Sequence, residues 1–146
     1  YEFFHCFRWK GGVCMYVKES ISVKQLDEFC QNTSMFQILW LKINFSFSSK
    51  LVCSIYRSPN SNKVSDTDFF NSLDNTLEVL CTRYPNSEVC LLGDFNIHNE
   101  KWLSHSKGVD YSGQEMEKFC IIHNLDQLVD QPTRFARHIR DSLEYS

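Results

Sequence analysis

The segment Gly93–Asn96 (GDFN) combines two side chains suited to phosphodiester chemistry and follows directly on the apolar run Val89–Leu92. We interpret the apolar run as a buried strand, whose tip would hold these side chains rigidly. Asp94 is an anion that can orient or deprotonate water, and Asn96 is a neutral donor that can hold a phosphate oxygen. In an extended backbone the two would share a face, because they are two residues apart. The alternative is a simple turn in which both side chains only satisfy backbone groups.

Hydrophobic patterns predict the strands that position this segment. The runs Val13–Val17, Phe36–Phe45 and Leu51–Tyr56 are rich in β-branched and aromatic residues, which is typical of strands. A short polar turn separates the second run from the third, so we expect an antiparallel hairpin. A further strand is predicted over Glu88–Leu92, immediately before the polar segment.

Two helices are predicted from apolar residues at helical spacing. The first covers roughly Asp66–Tyr84, with Ser65 and Asp68 as its capping box. The second begins at a capping box of Ser112 and Glu115 and ends near Asn124, a plausible left-handed cap. Residues 97–111 between them are expected to form a long loop, and short strands are expected over 125–129 and from 132. This order favours a sheet sandwich covered by helices rather than a regular nucleotide-binding βαβ sheet.

Length, net charge, cysteine spacing and apolar runs limit the class of protein. The 146 residues amount to one domain, and a net charge of −3 argues against a nonspecific nucleic-acid coat protein. None of the seven cysteines forms a CxxC pair, so we expect reduced, buried thiols in an intracellular protein. No apolar run approaches the roughly 20 residues that a membrane span needs.

Five segments occur in an order that resembles a known superfamily. They are Gly12–Val17 (GVCMYV), Cys53–Pro59 (CSIYRSP), Leu91–His98 (LLGDFNIH) with Trp102, Asn124–Val129 (NLDQLV) and Gln131–Arg134 (QPTR). Together they resemble the endonuclease/exonuclease/phosphatase superfamily, and more narrowly the abasic-site-endonuclease-like domain of non-LTR retrotransposons. The resemblance implies one domain over residues 1–146 and an α+β fold, a four-layer α/β/β/α sandwich of the deoxyribonuclease-like type, truncated at both ends.

The resemblance also implies catalytic roles. Asp94 would orient the attacking water, and Asn96 would bind the scissile phosphate and steady Asp94. Tyr56 matches a family tyrosine whose hydroxyl contacts the phosphate or the leaving oxygen, although an aromatic strand-end residue can also simply pack in the core. Of the histidines near this site, His98 and His105 fit no zinc spacing and are interpreted as polar loop residues.

Substrate contacts are implied further along the chain. Thr133 matches a threonine near the active-site rim, and Arg134 and Arg137 belong to a basic run that forms a DNA-reaching hairpin in the family. A solvated hairpin tip is the alternative reading of that run. Glu144 falls where the family has an aspartate, and its longer side chain is a departure that leaves only a possible supporting role near the metal.

The family's divalent cation, Mg²⁺ or Mn²⁺, depends on residues that we expect to lie outside this sequence. The metal-binding Glu would precede Tyr1, and a Ser-Asp-His strand would follow Ser146, so the metal ligands within the chain are unknown. We therefore expect this fragment to be inactive by itself, since members of a catalytic unit act together.

These expectations lead to three readings. The first is the DNA endonuclease domain of a non-LTR retrotransposon polyprotein, which nicks target DNA for a linked reverse transcriptase and acts in the nucleus, away from membranes. The second is a catalytically inactive, truncated remnant of such a domain. The third is another phosphoesterase of the superfamily, which the Pro-Thr-Arg segment makes less favoured.

Overall fold

The computed structural model describes residues 1–8, 11–103 and 106–129, and this part of the chain contains seven strands and two α-helices. A single 3-10 turn, Asp27–Phe29, precedes the fourth strand. The elements are β1 (Glu2–Arg8), β2 (Gly11–Val17), β3 (Ser22–Gln25), β4 (Gln31–Asn32), β5 (Phe36–Asn44), β6 (Ser49–Arg57), α1 (Lys63–Arg83), β7 (Ser87–Asp94) and α2 (Tyr111–Ile122).

The larger sheet brings the ends of β6 and β7 together. Its strands run in the order β3-β5-β6-β7, and β4 pairs with β5 beside β3. The β5–β6 hairpin is antiparallel, as predicted, whereas β6 and β7 are parallel and are joined by α1 as a crossover helix. Parallel pairing places the carboxyl ends of both strands at one edge of the sheet.

The two faces of this sheet are covered by different elements. Leu51, Cys53 and Ile55 of β6 point into a core shared with α1 and α2. On the opposite face, Leu39 and Leu41 of β5 pack against the two-stranded ribbon formed by β1 and β2. A helical layer, a sheet and a second, smaller sheet therefore stack in order. This arrangement confirms the predicted α+β sandwich; within the described ranges no helix covers the outer face of the ribbon.

The helix starts differ from those predicted. Helix α1 begins at Lys63, and its capping box consists of Asn62 and Ser65, because the Asn62 side chain accepts from the Ser65 backbone N–H. Helix α2 begins at Tyr111 with Asp110 as its N-cap, so Ser112 lies inside the helix. No helix in the described ranges is long and apolar enough to cross a membrane.

Other differences concern the strands. Strands β1, β3 and β4 were not predicted. The expected strand over 125–129 is absent, since the described residues there follow the left-handed turn at Asn124, whose φ of 52° agrees with its predicted role as a cap. The loop over 97–111 contains an isolated bridge between Asn99 and Val109. The strand expected from residue 132 lies outside the described residues.

The cysteines are less uniformly buried than predicted. All seven are free thiols, but only Cys53 is buried, while Cys14 and Cys81 are exposed. Burial raises the pKa of the Cys53 thiol well above its ordinary value. Because the thiolate is the reactive species, Cys53 is protected both by access and by its protonation state.

We expect native-state alkylation at neutral pH to modify Cys14 and Cys81 and to spare Cys53. Mass spectrometry after iodoacetamide treatment would identify the labelled residues. Denaturant should make Cys53 reactive as well. Labelling of Cys53 at the rate of Cys81 in native buffer would contradict the packing described for the sheet.

Candidate active site

Tyr56 and Asp94 lie side by side at the carboxyl ends of β6 and β7. They are direct cross-strand partners, so their side chains share a face of the sheet. That is the face covered by the β1–β2 ribbon, where Tyr56 packs against the apolar residues that Leu39 and Leu41 form with the ribbon. Asp94 is exposed, and among the described residues the Tyr56 hydroxyl has no hydrogen-bond partner. A phenol and a carboxylate are thus presented together to solvent.

Gly93 allows β7 to approach β6 closely just before Asp94. Its φ is 139°, a conformation that side-chain-bearing residues rarely adopt. A Cβ atom at this position would lie 1.8 Å from the backbone oxygen of Ile55. Glycine at position 93 is therefore explained by the close approach of the two strands. This approach brings Asp94 beside Tyr56.

Asn96 does not continue the extended strand, which corrects the expectation that it shares a face with Asp94. Strand β7 ends at Asp94, and Asn96 has a left-handed φ of 47°. Its side-chain amide donates to the backbone oxygen of Arg57 at 2.6 Å. Its backbone N–H donates to Asp94 Oδ1 at 3.3 Å. Asparagine tolerates this backbone conformation better than most residues, so the turn aims the two side chains differently while linking them by a hydrogen bond.

Arg57 is the centre of a buried polar network behind this turn. The residue is only 4% exposed. Its Nη1 donates to the backbone oxygens of Phe95 at 2.9 Å and Asn96 at 2.8 Å. Its Nε and Nη2 donate to Asp66 Oδ1 at 3.0 and 2.8 Å.

Ser112 closes the network from α2. Arg57 Nη2 donates to its hydroxyl oxygen at 2.5 Å, and the Ser112 hydroxyl donates to Asp66 Oδ2 at 2.6 Å. Burial would raise the pKa of the Asp66 carboxyl, but the hydrogen bonds from Ser112 and Arg57 outweigh this effect and the net pKa is lowered. One arginine thus joins β6, α1, α2 and the turn after β7.

Sequence reasoning missed Arg57, Asp66 and Ser112 as parts of the site, although two signals were present. Arg57 follows Leu51, Cys53 and Ile55 at alternate positions, so a charge at this position on the buried face needs a partner. Asp66 stands at helical spacing from Phe69, Phe70 and Leu73 on the buried face of α1. Arg57 interrupts the apolar pattern of β6, and Asp66 interrupts that of α1, where the two elements pack together.

A hollow of about 330 Å³ lies on the helical side of Asn96. Its lining includes Lys63 at the start of α1 and Tyr111 at the start of α2, with the Lys63 Nζ 5.1 Å from the Tyr111 ring centre. His98 also lines it, in agreement with its interpretation as a polar loop residue, and its backbone N–H donates to Asp110 Oδ2 at 3.1 Å. Tyr56 and Asp94 lie outside this lining.

The described residues do not build a complete metal site. Across the described ranges, no group of three or more His, Cys, Asp or Glu side chains is placed to hold a metal ion. Asp94 is a single carboxylate, and Mg²⁺ commonly takes one or two carboxylates together with water and substrate oxygens. The residues predicted to contact substrate, Thr133, Arg134 and Arg137, lie outside the described residues, as do His105 and Glu144.

The two stacked sheets and the helical layer form an α+β sandwich of the deoxyribonuclease-like class. Residues 50–143 match the model of the endonuclease–reverse transcriptase family, and the chain belongs to that family. Among solved structures, the chain is similar to the endonuclease domain of TRAS1, a telomere-specific non-LTR retrotransposon, with a TM-score of 0.67 and 18% identity. The similarity covers 90% of this chain and 57% of that structure. A comparison with curated proteins gives no match.

Replacement of Gly93 by alanine should destabilise the protein by roughly 1–3 kcal/mol, because the new Cβ must push β7 away from β6. The urea midpoint of unfolding would report this loss. Gly108→Ala is the matched control, since Gly108 also has a positive φ, 72°, but a Cβ there meets nothing within 4 Å. Equal destabilisation by both substitutions would show that backbone strain, and not the close strand approach, is the cause.

The Asp66 network should make stability depend on acid pH. A carboxyl whose folded-state pKa is lowered contributes stability that is fully present above its ordinary pKa of 3.8 and is lost as pH falls through the folded value. Between about pH 5 and pH 2.5, the urea midpoint should therefore fall less steeply in Asp66→Asn than in the unsubstituted protein. Asp68→Asn, on the exposed side of the same helical turn, should keep the original slope.

Proposed function

We propose that this chain is part of a domain that hydrolyses phosphodiester bonds in DNA. The observation that carries the proposal is the meeting of Tyr56, Asp94 and Asn96 at the carboxyl ends of β6 and β7, in a member of the endonuclease–reverse transcriptase family. A water-orienting carboxylate beside a phenol, with an amide in the adjoining turn, suits attack of water on a phosphate.

Each side chain has a distinct proposed role. The exposed Asp94 carboxylate orients the attacking water and accepts its proton. The Asn96 side chain keeps an oxygen and one N–H beyond its bond to the Arg57 backbone, so it can hold the scissile phosphate. The Tyr56 hydroxyl, beside Asp94, donates to the phosphate or to the leaving oxygen.

A divalent cation, Mg²⁺ or Mn²⁺, is part of the proposal. When bound, it would neutralise charge on the phosphate and stabilise the leaving oxygen. Within the described ranges, no group of three or more His, Cys, Asp or Glu side chains is placed to hold the ion, so the proposed ligands are substrate oxygens, water and residues outside those ranges. The protein groups described above act on water and phosphate without holding the ion by themselves.

The biological setting is also proposed by analogy. The chain covers 57% of the TRAS1 endonuclease domain, whose description places it in a non-LTR retrotransposon. We propose that the parent protein nicks chromosomal DNA in the nucleus, that Thr133, Arg134 and Arg137 contact the DNA backbone, and that a linked reverse transcriptase uses the exposed 3′ end. The family description, which names both activities, supports the link.

Asp94→Asn should lower the rate of supercoiled-plasmid nicking by roughly a hundredfold or more, because the amide cannot accept a proton from water. The assay uses the full-length parent protein with Mg²⁺, and this chain is tested beside it. Asp68→Asn removes an exposed carboxylate on α1 and should nick at the unsubstituted rate. Chelation by EDTA should abolish nicking, and added Mg²⁺ should restore it.

The outcomes separate the readings. Nicking by the parent but not by this chain would support the proposal and identify the chain as an incomplete part of the enzyme. If Asp94→Asn nicks as fast as the unsubstituted parent, the proposed role of Asp94 is wrong. If the parent folds by circular dichroism but does not nick, the inactive-remnant reading replaces the proposal.

A further inference from the structure

We propose that Arg57 is a positioning residue of the nuclease site, which holds Asp94 and Asn96 in working geometry through the backbone of the turn after β7. The inference rests on the proposed function for its catalytic consequence. The family resemblance implied no role for Arg57. The observations that carry it are the hydrogen bonds of one buried guanidinium and the left-handed backbone of Asn96.

The guanidinium fixes the orientation of two successive peptide units. Nη1 donates to the backbone oxygens of Phe95 and Asn96 at once, at 2.9 and 2.8 Å. A backbone with φ of 47° is sparsely populated, so it persists only when its surroundings hold it. Arg57 holds the turn by two kinds of hydrogen bond. Its side chain donates to the backbone of the turn, and its backbone oxygen accepts from the Asn96 side-chain amide.

These hydrogen bonds also affect the orientation of the Asp94 carboxylate. The Asn96 N–H that donates to Asp94 Oδ1 belongs to the peptide unit whose carbonyl is that of Phe95. Because the peptide unit is planar, fixing the Phe95 oxygen also fixes the direction of the Asn96 N–H. Arg57 therefore acts on Asp94 through one rigid group, without touching it.

Arg57 itself is unsuited to binding substrate. It is 4% exposed, and all three guanidinium nitrogens already donate within the protein. The Asp66 carboxylate neutralises its charge, with Nη2 to Oδ1 at 2.8 Å. A phosphate would have to displace buried partners to reach it, so its contribution is to geometry.

The network requires arginine. Its planar fork directs Nη1 toward the turn while Nε and Nη2 bind Asp66 on α1, which a single ammonium group cannot reproduce. Ser112 adds a point of attachment on α2, because its hydroxyl bridges Arg57 and Asp66. Two helices thus hold the guanidinium, and the guanidinium holds the turn.

The test compares Arg57→Lys and Ser112→Ala with Leu77→Ala in the full-length parent protein. Leu77 is buried in α1 and lies outside the network, so its substitution destabilises the fold without touching the turn. Plasmid nicking is measured at a temperature at which circular dichroism shows each variant folded. We expect Arg57→Lys to lower kcat roughly tenfold to a hundredfold with KM within about twofold, since small misplacements of reacting groups are costly.

Ser112→Ala is the milder variant and keeps the test decisive if Arg57→Lys does not fold. It removes one partner of the guanidinium and should lower kcat a few-fold, again with KM nearly unchanged. Leu77→Ala should keep kcat within about twofold of the unsubstituted protein. A loss in Arg57→Lys or Ser112→Ala no larger than that in Leu77→Ala would overturn the proposal. A rise in KM at constant kcat would overturn it in favour of substrate contact.

A second readout does not depend on nuclease activity. The side-chain amide resonances of Asn96 in ¹⁵N NMR spectra should move in Arg57→Lys and Ser112→Ala and stay in place in Leu77→Ala. If the unsubstituted parent does not nick, the proposed function fails, and these resonances still decide whether Arg57 positions the turn. Unchanged Asn96 resonances in both network variants would overturn the inference whatever the nicking assay shows.

Discussion

The buried ion pair between Arg57 and Asp66 is the interaction on which the functional end of the sheet depends. Both side chains are nearly excluded from solvent, at 5% and 7% exposure, and each needs the other to balance its charge. Removal of one partner from such a pair typically costs about 3–5 kcal/mol, because the remaining charge stays buried without compensation. Here the pair also joins strand, helices and the turn after β7, so that stability and site geometry share one set of contacts.

Residues on both faces of the larger sheet contribute to the site, and the ion pair lies on the helical face. Alternation along β6 sends Tyr56 toward the ribbon and Arg57 toward the helices. Tyr56 can then stand beside Asp94 at the open edge while its neighbour in sequence anchors the turn from behind. The left-handed backbone at Asn96 completes the arrangement, because in this turn its side-chain amide donates to the Arg57 backbone oxygen.

The sequence predicted the central strands well, because long apolar runs such as Phe36–Phe45 leave few alternatives, but it did not predict the left-handed turn at Asn96. It missed β1, in which Phe4 and Cys6 are half-buried while Phe3 and Phe7 are exposed, because the pairing with β2 is what makes this segment a strand. It misassigned Ser112 as a helix cap, since a serine before an apolar helical face satisfies that pattern whether its hydroxyl bonds the helix backbone or a distant arginine. The proposed roles of Asp94, Asn96 and Tyr56 stay predictions, because geometry alone does not establish them.

The use of Arg57 has an electrostatic consequence for the proposed chemistry. Its charge is compensated by Asp66, so Arg57 offers no net positive charge to a phosphate that approaches Asn96. Asp94 adds a negative charge at the same edge, and a carboxylate repels a phosphate anion that approaches it. Lys63 is a cation at the rim of the hollow, but its Nζ lies over the Tyr111 ring on the helical side, away from the Tyr56–Asp94 edge. The proposed mechanism therefore assigns neutralisation of the phosphate to groups other than Arg57, namely the proposed divalent cation and the arginines predicted to contact DNA.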